Sequence, residues 1–275
     1  MSWKNMMNEK SRTEYSVVNM TVAFIAQALA ILMGFFTRVI FTRTLSEGYV
    51  GINGLFTDIL NILSLSELGV GTAITYALYA PIAANDIKKQ QILMRMFRTF
   101  YRITAFFVLS AGLCLIPFLD ILMKDRPDVD HLIIIYLLYL LNSFASYLLI
   151  YKKTLVDAHQ MNYITVIYHN GFLVLQDICQ IIILLLTQNF ILFLVVVVVC
   201  TISGNICMSR KADRLFPYLK ETCKEQLPQE ESRNILKNVK AMLMHKISNV
   251  VVNNTDNPVL LELLRLEFIL IIILS

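Results

Sequence analysis

Six apolar runs, each with room for the roughly 20 residues of helix that cross a bilayer, follow one another along this chain. They are Ser16–Phe41, Gly54–Ala80, Ile103–Leu122, Leu132–Tyr151, Thr165–Leu186 and Phe190–Met208. In lipid every backbone polar group must find its partner within the protein, which leaves helices and closed barrels as the only spanning structures. Runs of this length read as helices. Val195–Val199, a valine run that would suit a strand in water, is expected to be helical for the same reason. Composition agrees: 57% of residues are apolar and 16% charged, and the mean hydropathy is +0.63. A soluble domain is about a quarter charged and under half apolar. The expected fold is all-α, a six-helix transmembrane bundle. The fifth joint, Thr187–Asn189, is short enough to force an antiparallel hairpin.

Lysine and arginine placement sets the expected orientation. With the N-terminus inside, the outer segments hold only Arg38, Arg43, Lys124 and Arg126. The inner segments hold Lys4, Lys10 and Arg12, then Lys88 to Arg102, then Lys152 and Lys153, then the series from Arg210 to Lys246. A multi-pass protein with a cytoplasmic N-terminus is expected. The first fifteen or so residues are polar and the run after them is too long for a signal-peptide core, so no cleavable leader is expected.

Several chemistries leave no trace. The five cysteines, Cys114, Cys179, Cys200, Cys207 and Cys223, form no C-x-x-C, and the four histidines are scattered. Free thiols are expected, with neither a disulfide framework nor a metal site. No phosphate-binding glycine loop or nucleophile elbow is present. The expectation is a protein without cofactor or nucleic-acid partner that performs no catalysis.

The polar groups inside the apolar runs carry the functional signal, because carboxylates at bilayer depth are costly and normally face a bundle interior or a water-filled cavity. The second run contains Asp58, Asn61 and Glu67, with Gly69 and Gly71 close behind. Glycine is poorly held in helices, so the pair is a candidate helix break. A broken helix beside a carboxylate is a common way to build a central transport site. The alternative for Glu67 is pairing with a neighbouring helix. On the fifth run Asn170 and Asp177 share a face, with His169, Gln176 and Gln180 on the next. So polar a stripe points to a cavity lining. Gly34 and Arg38 each fall within about 20° of Gln27 on one face of the first helix. Asn142, Ser143 and Ser146 read as small polar packing residues.

The region from Phe41 to Pro81 also has recognisable wording: F-T-R-T-L-S, G-I-N-G-L-F, L-S-E-L-G-V-G and Y-A-L-Y-A-P. It resembles the N-terminal part of bacterial polysaccharide flippases, which move O-antigen or capsule repeat units and belong to the MATE-like multidrug/oligosaccharidyl-lipid/polysaccharide exporter superfamily. The resemblance is closest over the first quarter or so of the chain and extends to about Asn257. It implies an inner-membrane protein that carries an undecaprenyl-pyrophosphate-linked oligosaccharide between leaflets, its partners being that lipid-linked sugar, membrane lipids and a coupling cation or proton. It implies two lobes: residues 1–209 as the N-terminal lobe, 210–240 as a basic cytoplasmic linker, and 241–257 as the start of the second. Arg38 would then bind the pyrophosphate through its rigid guanidinium fork; its other reading is an arginine snorkelling to the headgroups. Glu67 or Asp58 would couple the ion.

From Pro258 to Ser275 the resemblance stops. This partial seventh hydrophobic segment is broken by Glu262, Arg265 and Glu267. One permissible back-translation, read from its third base, yields a glycine- and tyrosine-containing string like the helix expected there, so a frameshifted tail and a truncated, inactive lobe are expected. The rival expectations are a lobe of a MATE-type drug exporter, which would favour acidic residues over Arg38, and a membrane-embedded polysaccharide polymerase or glycosyltransferase. The latter would need a larger outer loop than the one near Lys124–Asp130.

Overall fold

The computed structural model describes residues 12–63, 70–119 and 129–220, with isolated helical positions at Arg233 and Lys237. All regular structure among them is helical. The elements are α1 (Arg12–Thr44), α2 (Glu47–Leu63), α3 (Val70–Ala83), α4 (Ile87–Leu115, extended by a 3-10 turn, Ile116–Phe118), α5 (Leu132–Tyr147), α6 (Ile150–Ala158), α7 (Asn162–Thr187) and α8 (Phe190–Leu215, followed by a 3-10 turn, Pro217–Lys220).

Among the described residues four helices are long and apolar enough to cross a membrane: Asn19–Thr44 within α1, Ile87–Phe118, α7 and α8. The bent pair α5–α6 makes a fifth if it counts as one span. Large apolar side chains stand exposed on these helices, among them Phe24, Phe35, Phe106, Ile182 and Leu186. In water such an exterior would be a liability; against lipid tails it is the ordinary surface of a span.

Local sequence explains the helix ends. Asp86 caps α4 by accepting from the Lys89 amide at 3.0 Å. Asn189 caps α8, its Oδ1 accepting from the Ile191 and Leu192 amides at 2.9 and 3.2 Å. Gln188 takes the left-handed conformation that ends α7, so α7 and α8 form the expected tight hairpin. The valine run lies within α8, as lipid solvation requires.

Two apolar runs differ from their expected extent. The run Leu132–Tyr151 is not one straight helix: it bends by 40° between α5 and α6. Neither proline nor glycine causes this. Leu149 sits at φ 70, which interrupts the helical ladder, and Asn205 Nδ2 of α8 donates to the Ala145 carbonyl there at 2.8 Å. The run read as Gly54–Ala80 falls on two helices, α2 and α3, with 64–69 between them outside the described residues. Farther on, α8 carries Arg210, Lys211 and Arg214 as a continuous extension of the apolar helix. Residues 221–232, 234–236 and 238–275, which hold most of the expected linker, the second-lobe start and the tail, lie outside the described residues.

The core is built on rings and close backbone approach. Phe56 of α2 meets Tyr136 of α5 edge-on at 5.2 Å. The Tyr136 hydroxyl donates to the Gly112 carbonyl at 2.8 Å. A Cβ at Gly112 would stand 2.3 Å from Leu140 Cδ1, so glycine is what lets α4 and α5 meet this closely. Small residues and interhelical hydrogen bonds are the expected glue where burial from water supplies no driving force.

The two ends of the bundle are each tied by named contacts. At one end Asn19 donates to the Gln160 carbonyl (2.9 Å) and accepts from the Tyr163 amide (2.8 Å). There too the His159 and Phe216 rings lie 4.4 Å apart, and Tyr218 donates to Gln90 Oε1 at 2.6 Å. At the other end Phe41 and Tyr49 meet Phe190 at 5.7 and 5.1 Å. The N-terminal part of α1 and the C-terminal end of α8 therefore lie at the same end.

Candidate functional site

His169, Gln176 and Gln180 of the α7 stripe line two cavities bordered by α5 and α8, while Asp177 meets α1. The first, about 250 Å³, is lined by Asn142 and Ser146 of α5, Lys153 of α6, His169 and Gln176 of α7, and Asn205 of α8, with apolar and aromatic walls. The second, also about 250 Å³, is lined by Asn53 of α2, Tyr139 and Asn142 of α5, and Gln176 and Gln180 of α7, against Phe193 and Leu194. Asn142 and Gln176 line both, so the two cavities share a wall and their polar groups form a track along α7.

The chemistry of the track is that of hydrogen-bonding groups and one cation. Among the described residues no carboxylate lines either cavity, and Lys153 is the charged residue of the set. Tyr139 donates to Asn53 Oδ1, linking α5 to α2. Asn142 Oδ1 is buried and has no hydrogen-bond partner among the described residues; an unmet buried acceptor costs about 1–3 kcal/mol. Such a surface suits neutral hydroxyl-rich or anionic ligands.

Two ion and hydrogen-bond contacts frame the track. Lys152 Nζ binds both carboxylate oxygens of Asp213, at 2.7 and 2.8 Å, and Ser209 Oγ at 2.9 Å, fastening α6 to α8. On the other flank the Thr37 hydroxyl lies 3.0 Å from Asp177 Oδ1 and 3.0 Å from the Met33 carbonyl, tying α1 to α7. Thr165 donates to Asp157 Oδ1 at 2.6 Å, fixing α6 against α7.

The residues singled out in the sequence divide between places. Gln176 lines both cavities, and Gln180 and His169 one each. Asn170 is buried and lines neither; Asp177 is engaged with Thr37. Gln27 and Arg38 are exposed on α1, and the Arg38 guanidinium stands 5.7 Å from the Phe41 ring centroid. Asp58 is exposed on α2. Glu67 and Gly69 lie outside the described residues, and Asn61 and Gly71 are described only as helical positions in α2 and α3. Asn142 and Ser146, read in the sequence as packing residues, line the first cavity. Asn53, Tyr139, Lys153 and Asn205 had no such reading. Of these only Asn53 and Asn205 carried a signal, as isolated amides inside apolar stretches.

No protein-family model, curated protein or solved structure matches this chain.

Proposed function

We propose that this chain is a transport lobe of a flippase that carries undecaprenyl-pyrophosphate-linked oligosaccharide repeat units across the bacterial inner membrane for surface polysaccharide assembly. The observation that carries this reading is the track of polar groups along two cavities that share Asn142 and Gln176, lined by amides, hydroxyls and Lys153 and free of carboxylates among the described residues. Sugar hydroxyls exchange hydrogen bonds with amides and hydroxyls, and a lysine suits a phosphate-bearing neighbour. A drug exporter for organic cations would call for acidic groups in the same place. The sequence wording between Phe41 and Pro81 supports the same reading.

In this account the chain makes six passes, with α2–α3 and α5–α6 each a broken pass and the N-terminus cytoplasmic. Contacts at the two bundle ends favour that path, since the start of α1 and the end of α8 share one end. Broken passes beside polar cavities are typical of transporters that rock between two open states. The protein binds and releases its substrate without changing it. Arg38 reads the pyrophosphate, and Glu67 or Asp58 couples movement to a cation or proton.

The test is export in a strain lacking its own repeat-unit flippase. The gene, supplied with its flanking sequence, restores surface glycan, and Gln176→Leu or Asn142→Leu abolishes it while membrane insertion persists. A reporter after Lys220 stays cytoplasmic. Export unaffected by both substitutions, or an external Lys220, overturns the reading.

A further inference from the structure

A third cavity, about 330 Å³, opens on the side of the bundle and is separate from the track in its chemistry. Arg98, Tyr101 and Arg102 of α4, Tyr147 and Tyr151 at the α5–α6 bend, and Ile202, Asn205 and Ile206 of α8 line it. Arg98 and Arg102 are four residues apart on one helix face and both are exposed. Neither makes a hydrogen bond or ion pair with another described residue. Both lie close enough to Tyr151 to act on its hydroxyl electrostatically, as does Asp213. Yet Asp213 is already bound by Lys152 at 2.7 Å, and no carboxylate among the described residues lines the cavity. Two guanidinium groups thus border a recess where no described residue supplies an anion to neutralise them.

The recess sits where apolar helix gives way to basic segments on every element that forms it. On α4 the arginines precede the exposed Ile103 and Phe106; on α8 the exposed Ile202 and Ile206 precede Arg210 and Lys211; the bend precedes Lys152 and Lys153. That is the headgroup level of a membrane. Above it, Phe106, which meets Phe144 edge-on at 5.6 Å, and Val199 extend an exposed apolar wall toward the bilayer interior.

We propose that this recess binds the phosphodiester headgroup of an anionic phospholipid, with Arg98 and Arg102 on the phosphate oxygens and the acyl chains laid along Phe106, Ile202 and Val199. Basic pockets between spans at a membrane face are suited to such headgroups, and guanidinium forks match phosphate oxygens. The apolar wall distinguishes a lipid from a free anion. The site is independent of the transport reading: it requires only that the helices lie in a bilayer.

The full-length protein, purified in a neutral detergent and titrated with phosphatidylglycerol under native mass spectrometry, is expected to retain one lipid over phosphatidylcholine. At about 1 kcal/mol per basic residue near the membrane surface, the Arg98→Gln/Arg102→Gln protein binds about thirtyfold more weakly. Arg43→Gln, which removes an exposed charge at the opposite end of the bundle, leaves affinity unchanged. Ile206→Trp fills the recess without touching either arginine and also lowers occupancy, which keeps the test intact should the double variant fail to fold. Equal retention of phosphatidylcholine, full competition by inorganic phosphate, unchanged affinity in both pocket variants, or preferential displacement by a polyprenyl diphosphate would overturn the proposal.

Discussion

The Thr37 hydroxyl lies 3.0 Å from Asp177 Oδ1, so the carboxyl group on α7 is met by a side chain of α1. The α1–α7 pair has the most extensive helix contact in the bundle, and this is its polar fastening. Hydrogen bonds between spans contribute about 0.5–1.5 kcal/mol. Thr37→Val is therefore expected to destabilise the protein by about that amount in thermal unfolding in detergent, whereas Thr37→Ser keeps the bond and most of the stability. Equal losses for the two substitutions would mean that packing of the β-branched methyl, not the bond, holds the helices.

The Lys152–Asp213 pair fastens α6 to α8 from half-buried positions, with side chains 14% and 26% exposed. Removing one partner leaves the other charged in a poorly solvated place, whereas removing both leaves neither. Lys152→Met is expected to cost about 2 kcal/mol. Adding Asp213→Leu should recover most of it. A double variant as unstable as the sum of both singles would contradict the pairing.

His159, in the joint between α6 and α7, meets the Phe216 ring at a tilt, 4.4 Å between centroids, and its Nδ1 lies 2.9 Å from the Leu155 carbonyl. Burial is the larger influence and lowers its pKa from the usual 6.5, against the backbone hydrogen bond, which raises it. The unfolded chain therefore binds more protons than the folded one below about pH 6.5, and stability falls as pH drops from there through the lower folded value. Above pH 6.5 both states are neutral and the contribution is flat. The slope from this group is at most about 1.4 kcal/mol per pH unit. His159→Phe should remove that component of an unfolding-versus-pH profile; an unchanged profile would assign the acid sensitivity elsewhere.

The helical membrane character was legible because lipid solvation leaves so few options: long apolar runs in this chain could hardly fold otherwise. The α7 stripe was legible for a related reason, since Gln176, Asp177 and Gln180 repeat at helical spacing within an apolar background. Thr37 and Tyr139 were not, because a single polar atom in an apolar helix carries no period. Lys153 stood out only as a charge that sets topology, although its side chain also reaches the first cavity. The bend at Leu149 has no local signature. Its left-handed backbone costs about 1–2 kcal/mol and is held by contacts from α8, through Asn205 and Asp213, far away in sequence.

The central claim is that the track through Asn142 and Gln176 is a hydrated path inside a bilayer-spanning bundle. Single cysteines placed there in a background without the native thiols, together with others on lipid-facing positions, measure this directly. The protein in membranes, treated with a charged, water-soluble maleimide, is expected to label at Asn142→Cys and Gln176→Cys but not at Leu185→Cys or Phe106→Cys, whose side chains are exposed on the apolar exterior. Protection of both track positions together with labelling of the exterior ones would contradict the account.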